Sequence, residues 1–236
     1  MESDLFVTIL TESGHRRELL AKGAAGRSKR KSHMELMNLV SGTFYQGKTH
    51  QYLQDISCKK SFHRLKANLE RILRMHMILE IIERTVLEED PHPEIYQLLA
   101  DTLETMNQTQ AHELTPDVTL IKLANFLGFL PNFKECCSCH MAITEDTAVW
   151  DENRGVLQCP KCANTNLEIE EEELISTQQH FPLKYRKVLE FFRQSPHRDL
   201  EKIQIQAEEQ KALQQFLPKI FLNHLGKPLK SLNTIY

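Results

Sequence analysis

Between Phe6 and Cys58 apolar and polar positions alternate, and beyond that an apolar period of three to four residues takes over. FVTIL (6–10) and RELLAKG (17–23) flank TESG and predict a hairpin, followed by a mobile basic loop at GRSKRKS. MELMNLVSGTFYQ (34–46) and HQYLQDISC (50–58) flank Gly47-Lys48 and predict a second hairpin, with Tyr45 and Tyr52 beside its turn. Short antiparallel strands in this arrangement predict a small β-barrel. From Leu65 the period becomes helical. Leu65, Leu69, Ile72, Leu73, His76, Leu79, Ile82 and Val86 fall on one face of a single long helix, with His76 expected in the core. Pro91 and Pro93 end it, and Ile95, Leu98, Leu99, Leu103 and Met106 mark a second helix. After the polar stretch NQTQAHE, Thr115 is the expected N-cap of a third, with Pro116 in its first turn and Gly128 as its left-handed cap. An acidic run at Glu168 and 170–173 precedes two further helices around 184–193 and 211–225.

Charge divides the chain where the pattern does. Net charge is only −3, but residues 1–66 carry 12 Lys or Arg against 6 Asp or Glu, a net of +6, and the remainder carries −9. The N-terminal part is therefore the one suited to a polyanion. Arg16, Arg17, Lys22, Arg27, Lys29, Arg30, Lys31 and Lys48 are the candidate phosphate contacts, and Tyr45 and Tyr52 the candidates for stacking on bases. Lys59, Lys60, Arg64, Lys66, Phe6 and Phe44 extend the same composition. Phe44 and Tyr45 are adjacent, so at most one is expected to point inward. The chain has no charged-then-apolar leader and no apolar run near 18 residues, which predicts a cytoplasmic protein without a membrane segment.

Five of the six cysteines fall within 27 residues, in KECCSCH and LQCPKC. In a reducing compartment such clusters bind metal or do redox chemistry rather than form structural disulfides. Cys136-x2-Cys139-x19-Cys159-x2-Cys162 has the ligand spacing of a four-cysteine zinc ribbon. Two intervening residues let both thiolates of a turn face one ion, and four thiolates leave no open position, so one structural zinc is expected rather than a hydrolytic one. Cys137 is left outside the set, and His140 is expected to support the site or lie on the surface. A redox Cys-x2-Cys pair is the rival, but the strand-helix-strand setting of such pairs is missing. Cys58 is expected to be a small buried hydrophobe.

Several stretches in order resemble the RecO recombination-mediator family of bacterial DNA repair: SDLFVTILTESG with LLAKGAAGRSKRK, ANLERILRMHMILEIIERTVLEEDPHPEIYQLL, LIKLANFLGFLPNFKECCSC, YRKVLEFFR and FLNHLGKPLKS. The resemblance implies an α+β chain: an OB-fold-like β-barrel over 1–64, then an α-helical domain over 65–236 with a four-cysteine zinc-ribbon insertion at 134–165. Family sequences place a strand before the equivalent of LFVTIL, so the barrel is expected to lack its first strand. The resemblance further implies a nucleoid-associated protein with no catalytic residues or turnover. It would bind single- and double-stranded DNA, anneal complementary strands, and dock the C-terminal tail of single-stranded-DNA-binding protein. With RecR it would help load RecA. A zinc-ribbon adaptor acting through protein contacts is the alternative. The absence of a Gly-rich phosphate loop or a Ser/His/Asp order argues against a metabolic enzyme.

Overall fold

A computed structural model describes residues 4–24, 29–110, 112–144, 146, 148–167, 178–202 and 205–231. The chain is mixed α+β, with four strands leading and helices following. Described residues up to 110, with Ser231, form one compact unit, and His112–Lys230 a second. The fourth strand ends at Ser61 and the next helix begins at His63, whereas the compact units divide between 111 and 112.

In the N-terminal unit β1 (Leu5–Leu10), β2 (Arg16–Ala21), β3 (Asn38–Gln46) and β4 (Gln51–Ser61) form one sheet in the order β1-β2-β4-β3. The β1/β2 and β3/β4 pairs are antiparallel hairpins and β2/β4 is parallel. One face buries Leu19, Ala21, Leu53 and Ile56, with Leu5, Val7, Ile9 and Val40 packed against them. The basic stretch after β2 is not a loop throughout. Lys29–His33 is a short helix, α1. Arg30 Nη2 donates to the carbonyls of Leu53 and Gln54, each at 3.2 Å, and His33 Nδ1 accepts from the Cys58 amide, so β4 holds the helix in place. Cys58 is half-buried rather than buried.

The single long helix expected from Leu65 is broken. α2 (His63–Lys66) stops, and α3 (Leu69–Thr85) starts afresh with Asn68 as N-cap, its side chain accepting from the Arg71 amide at 3.0 Å. The break resets the helical phase. The buried face runs through Met75, Ile78, Ile81 and Ile82, Leu69 is 70% exposed, and His76 is exposed rather than in the core. α4 (Pro93–Met106) takes Pro93 at its first turn and buries Ile95, Leu98, Leu103 and Met106. The β1/β2 turn meets its start, where the His92 amide donates to the Gly14 carbonyl at 3.1 Å.

In the second unit α5 (Thr115–Phe126) is buried along most of its length. Leu114, not Thr115, is its N-cap; the Thr115 hydroxyl instead donates to the His112 carbonyl at 2.7 Å. The helix ends as expected at Gly128, φ 72°, in a Schellman turn: Phe129 N–H to the Ala124 carbonyl and Gly128 N–H to that of Asn125. A second sheet, not foreseen in the sequence, joins β5 (Ala148–Asp151), β6 (Val156–Gln158) and β7 (Gln178–Phe181) in the order β6-β5-β7. Between β6 and β7 lies α6 (Pro160–Leu167); the expected acidic run falls outside the described residues. α7 (Leu183–Gln194) and α8 (Ala207–Leu225) cover the two helices expected last. Trp150 of β5 and Phe181 of β7 pack on Phe216 of α8, with ring centroids 4.9 and 4.6 Å away. No helix among the described residues is long and apolar enough to cross a membrane.

Candidate metal centre and nucleic-acid surface

The first cysteine pair sits on a turn closed by an isolated bridge between Glu135 and Ala142. Cys136 N–H donates to the Met141 carbonyl and His140 N–H to that of Cys136, both at 3.0 Å, with His140 in the left-handed region at φ 59°. The second pair comes from the junction of β6 and α6. Pro160 opens the helix, and the Ala163 amide bonds the Cys159 carbonyl, so Cys162 lies in its first turn. Two links join the turns: Cys137 N–H to the Leu157 carbonyl at 3.0 Å, and Gln158 Nε2 to Ser138 Oγ at 2.9 Å.

This assembly brings Cys136, Cys139, Cys159 and Cys162 together, with all four Sγ atoms within 4.8 Å of one another and Cys139 and Cys159 at 3.9 Å. The donor set fits a metal ion. Burial opposes ionisation of Cys136, but the backbone amides of Cys139, Cys159 and Ser138 outweigh it and bring the thiol down to about 6. Hydrogen bonds with the sulfurs of Cys159 and Cys139 favour the protonated thiol of Cys162 and, with burial, push it up to about 12. A bound cation removes that preference. Cys137 is exposed, its sulfur 3.6 Å from Ser138 Oγ and outside the cluster; His140 is exposed as well.

From α7, Arg186 Nη1 donates to the carbonyls of Ile143 at 2.7 Å and Phe133 at 3.4 Å, on either side of the first cysteine turn. Glu190, on the same helix, pairs with Lys134 at 3.3 Å and with Arg193 at 2.5 Å. Neither Arg186 nor Glu190 was marked as part of the site by spacing, because their partners are main-chain atoms and a lysine far away in sequence.

The basic candidates separate by what they already hold. Arg16 Nε donates to the Val86 carbonyl at 3.0 Å, and Arg30 is committed to β4. Among the described residues Arg17, Lys31 and Lys48 form no ion pair, and Lys22 Nζ lies 4.7 Å above the Tyr52 ring. Lys60 and Lys66 are paired within the unit, with Glu104 at 2.5 Å and Glu35 at 3.5 Å. Arg27 and the Lys29 side chain lie outside the described residues. Tyr45 and Tyr52 are brought together, stacked with centroids 5.3 Å apart and planes at 19°. Both Phe44 and Tyr45 are exposed, so neither supplies the core. His50, which composition did not single out, touches Phe6 at 5.6 Å and Tyr52 at 6.3 Å.

A family model described as recombination protein O C terminal matches residues 66–233. A DNA repair protein RecO from Roseiflexus sp. (strain RS-1) is 31% identical over 166 residues, 70% of this chain and 58% of that protein. One from Syntrophobacter fumaroxidans is 30% identical over 161 residues, 67% of this chain and 64% of its own. One from Streptococcus gordonii is 24% identical over 233 residues, covering 98% of this chain and 84% of that protein. The chain thus spans about three fifths of the length of the first two relatives. With the family model running over most of its residues, the chain belongs to the RecO family of DNA repair proteins.

Proposed function

We propose that the chain is a recombination mediator without catalytic turnover. It binds single- and double-stranded DNA, anneals complementary strands and, with RecR, helps load RecA onto DNA coated by single-stranded-DNA-binding protein, whose C-terminal tail docks on the helical part. Its place is then the cytoplasm, at the nucleoid. The observation that carries this reading is the side-chain set of the N-terminal unit, where Arg17, Lys22, Lys31 and Lys48 accompany stacked tyrosines in a chain of this family. We assign residues 1–64 to an OB-fold-like barrel, and 65–236 to the helical domain with its insertion at 134–165. Annealing two polyanions requires their repulsion to be screened while the base edges stay free. Cations that hold phosphates do this without reading sequence.

A zinc ion would be held by Cys136, Cys139, Cys159 and Cys162. Four sulfurs about 2.3 Å from one ion lie roughly 3.8 Å apart, which the 3.9 Å between Cys139 and Cys159 matches. Bound there, zinc would supply cross-linking of two turns rather than Lewis acidity, since its coordination sphere is closed.

The test mixes complementary labelled strands, coated with single-stranded-DNA-binding protein, with and without this chain at two salt concentrations. Acceleration of annealing that fades at the higher salt supports the reading. No acceleration from folded, metal-loaded protein would overturn it.

A further inference from the structure

One row of side chains crosses the whole N-terminal sheet. Phe6 of β1 lies opposite Leu20 of β2, Leu20 opposite Tyr52 of β4, and Tyr52 opposite Tyr45 of β3. The rings form a continuous chain of contacts: Phe6 edge-on to His50, His50 edge-on to Tyr52, and Tyr52 stacked on Tyr45. This is not core. The residues beside Phe6, Leu5 and Val7, pack into the buried cluster with Leu19, Ala21 and Leu53, and strand alternation sends Phe6 the other way. Phe6 stays 53% and Tyr45 51% exposed, and His50 is exposed too. The row is also built with close tolerance. A Cβ on Gly47 would come within 2.3 Å of Tyr52 Cε2, so only glycine lets the β3/β4 turn lie this close to the ring.

We infer that this row is a stacking platform for unpaired nucleobases and makes the sheet prefer single strands to duplex, while the surrounding cations serve both. The inference rests on the DNA-binding reading proposed above. Exposed aromatic faces that no core requires are matched by the flat faces of bases. Lys22 above Tyr52 and Lys48 in the adjoining turn put positive charge where the phosphates of a stacked strand would run. Three inter-strand spacings make the row about 14 Å long, room for two or three extended nucleotides. In a duplex the base faces are covered by their neighbours, so only the phosphates reach the protein. The rings therefore discriminate and the lysines do not.

The experiment uses the full chain, with a thymidine oligonucleotide carrying one 2-aminopurine and a blunt duplex of equal length at the same salt. Phe6→Ala and Tyr45→Ala should each weaken single-strand binding about tenfold, with duplex binding changed less than about twofold. The stacking-dependent quenching of 2-aminopurine should fall with them. Gly47→Ala, which displaces the Tyr52 ring, should shift the same ratio, and Tyr45→Phe should retain it. Thermal melting checks the fold, which exposed rings should not disturb. Equal losses on both DNAs, or none on either, would overturn the platform and leave the mediator reading standing. Wild-type protein that binds neither DNA would overturn both.

Discussion

Arg30 and Lys31 are neighbours in one basic run, and the fold gives them different tasks. Arg30 satisfies two main-chain carbonyls of β4, at Leu53 and Gln54, and so fastens α1 to the sheet. Replacing it by alanine removes charge-assisted bonds from one part-buried and one exposed carbonyl, a cost of about 1–3 kcal/mol that should appear as a lower melting temperature. Lys31 is exposed. Lys31→Ala should leave the melt within about 0.5 kcal/mol of wild type and reduce the slope of log affinity against log salt by about one phosphate contact. Melting curves and salt titrations of the two variants check the division. A sequence lists both as cations, because nothing in composition tells which one reaches a carbonyl. The cysteines were more legible. The two-residue spacing of Cys136 to Cys139 and of Cys159 to Cys162 is itself a geometric constraint, and it left Cys137 outside the cluster as the structure does. Cys137→Ser should keep a full metal equivalent by elemental analysis, whereas Cys139→Ser should lose metal.

α7 acts on the first cysteine turn through two side chains one helical turn apart. Arg186 is 3% exposed and holds the Phe133 and Ile143 carbonyls, so Arg186→Ala leaves both without this donor. The expected cost is about 2–4 kcal/mol, with faster release of metal to a chromogenic chelator. Glu190 adds a pH dependence. The Arg193 guanidinium bonded to it outweighs burial and, with Lys134, brings its carboxyl down to about 2. A depressed carboxyl contributes stability in full above its unfolded value, about 4.3, and loses it as pH falls toward 2. The melting-temperature gap between wild type and Glu190→Gln should therefore narrow below about pH 4.5; an unchanged gap would show the pair to be solvent-screened. Elements were legible where one residue dictates the geometry, as Gly128 does for the end of α5. They were misread where a period was counted across a break. Carrying the phase of Leu65 through Asn68 put His76 on the wrong face, and the cue was the asparagine cap itself. The sheet of β5, β6 and β7 left almost no pattern, because its strands are only four, three and four residues long.

At the scale of the molecule, the basic N-terminal stretch and the cysteine cluster belong to different compact units. The cationic excess lies within residues 1–66 and the four-cysteine cluster within His112–Lys230. The cluster under β1, β2 and β4 is built from Leu19, Ala21, Leu53 and Ile56 of the first unit, and Trp150, Phe181 and Phe216 of the second pack on one another. Each unit therefore has apolar contacts of its own to stand on. Metal removal should act on one and spare the other. Besides Cys136, Ile143 and Leu157, the two cysteine turns bury only small Ala163 and flanking Phe133, so a bound cation's cross-link would add much of what holds them together. After chelation, hydrogen exchange should rise first over residues 134–165 and stay near its starting level in β1–β4, with oligonucleotide affinity falling less than about threefold, under 1 kcal/mol. Reloading the metal should restore protection. If affinity instead collapsed in step with exchange at the cysteine turns, the second unit would have to share in holding DNA, despite its net negative charge. If exchange at the turns did not rise, the cation would be a passenger in a segment that folds without it.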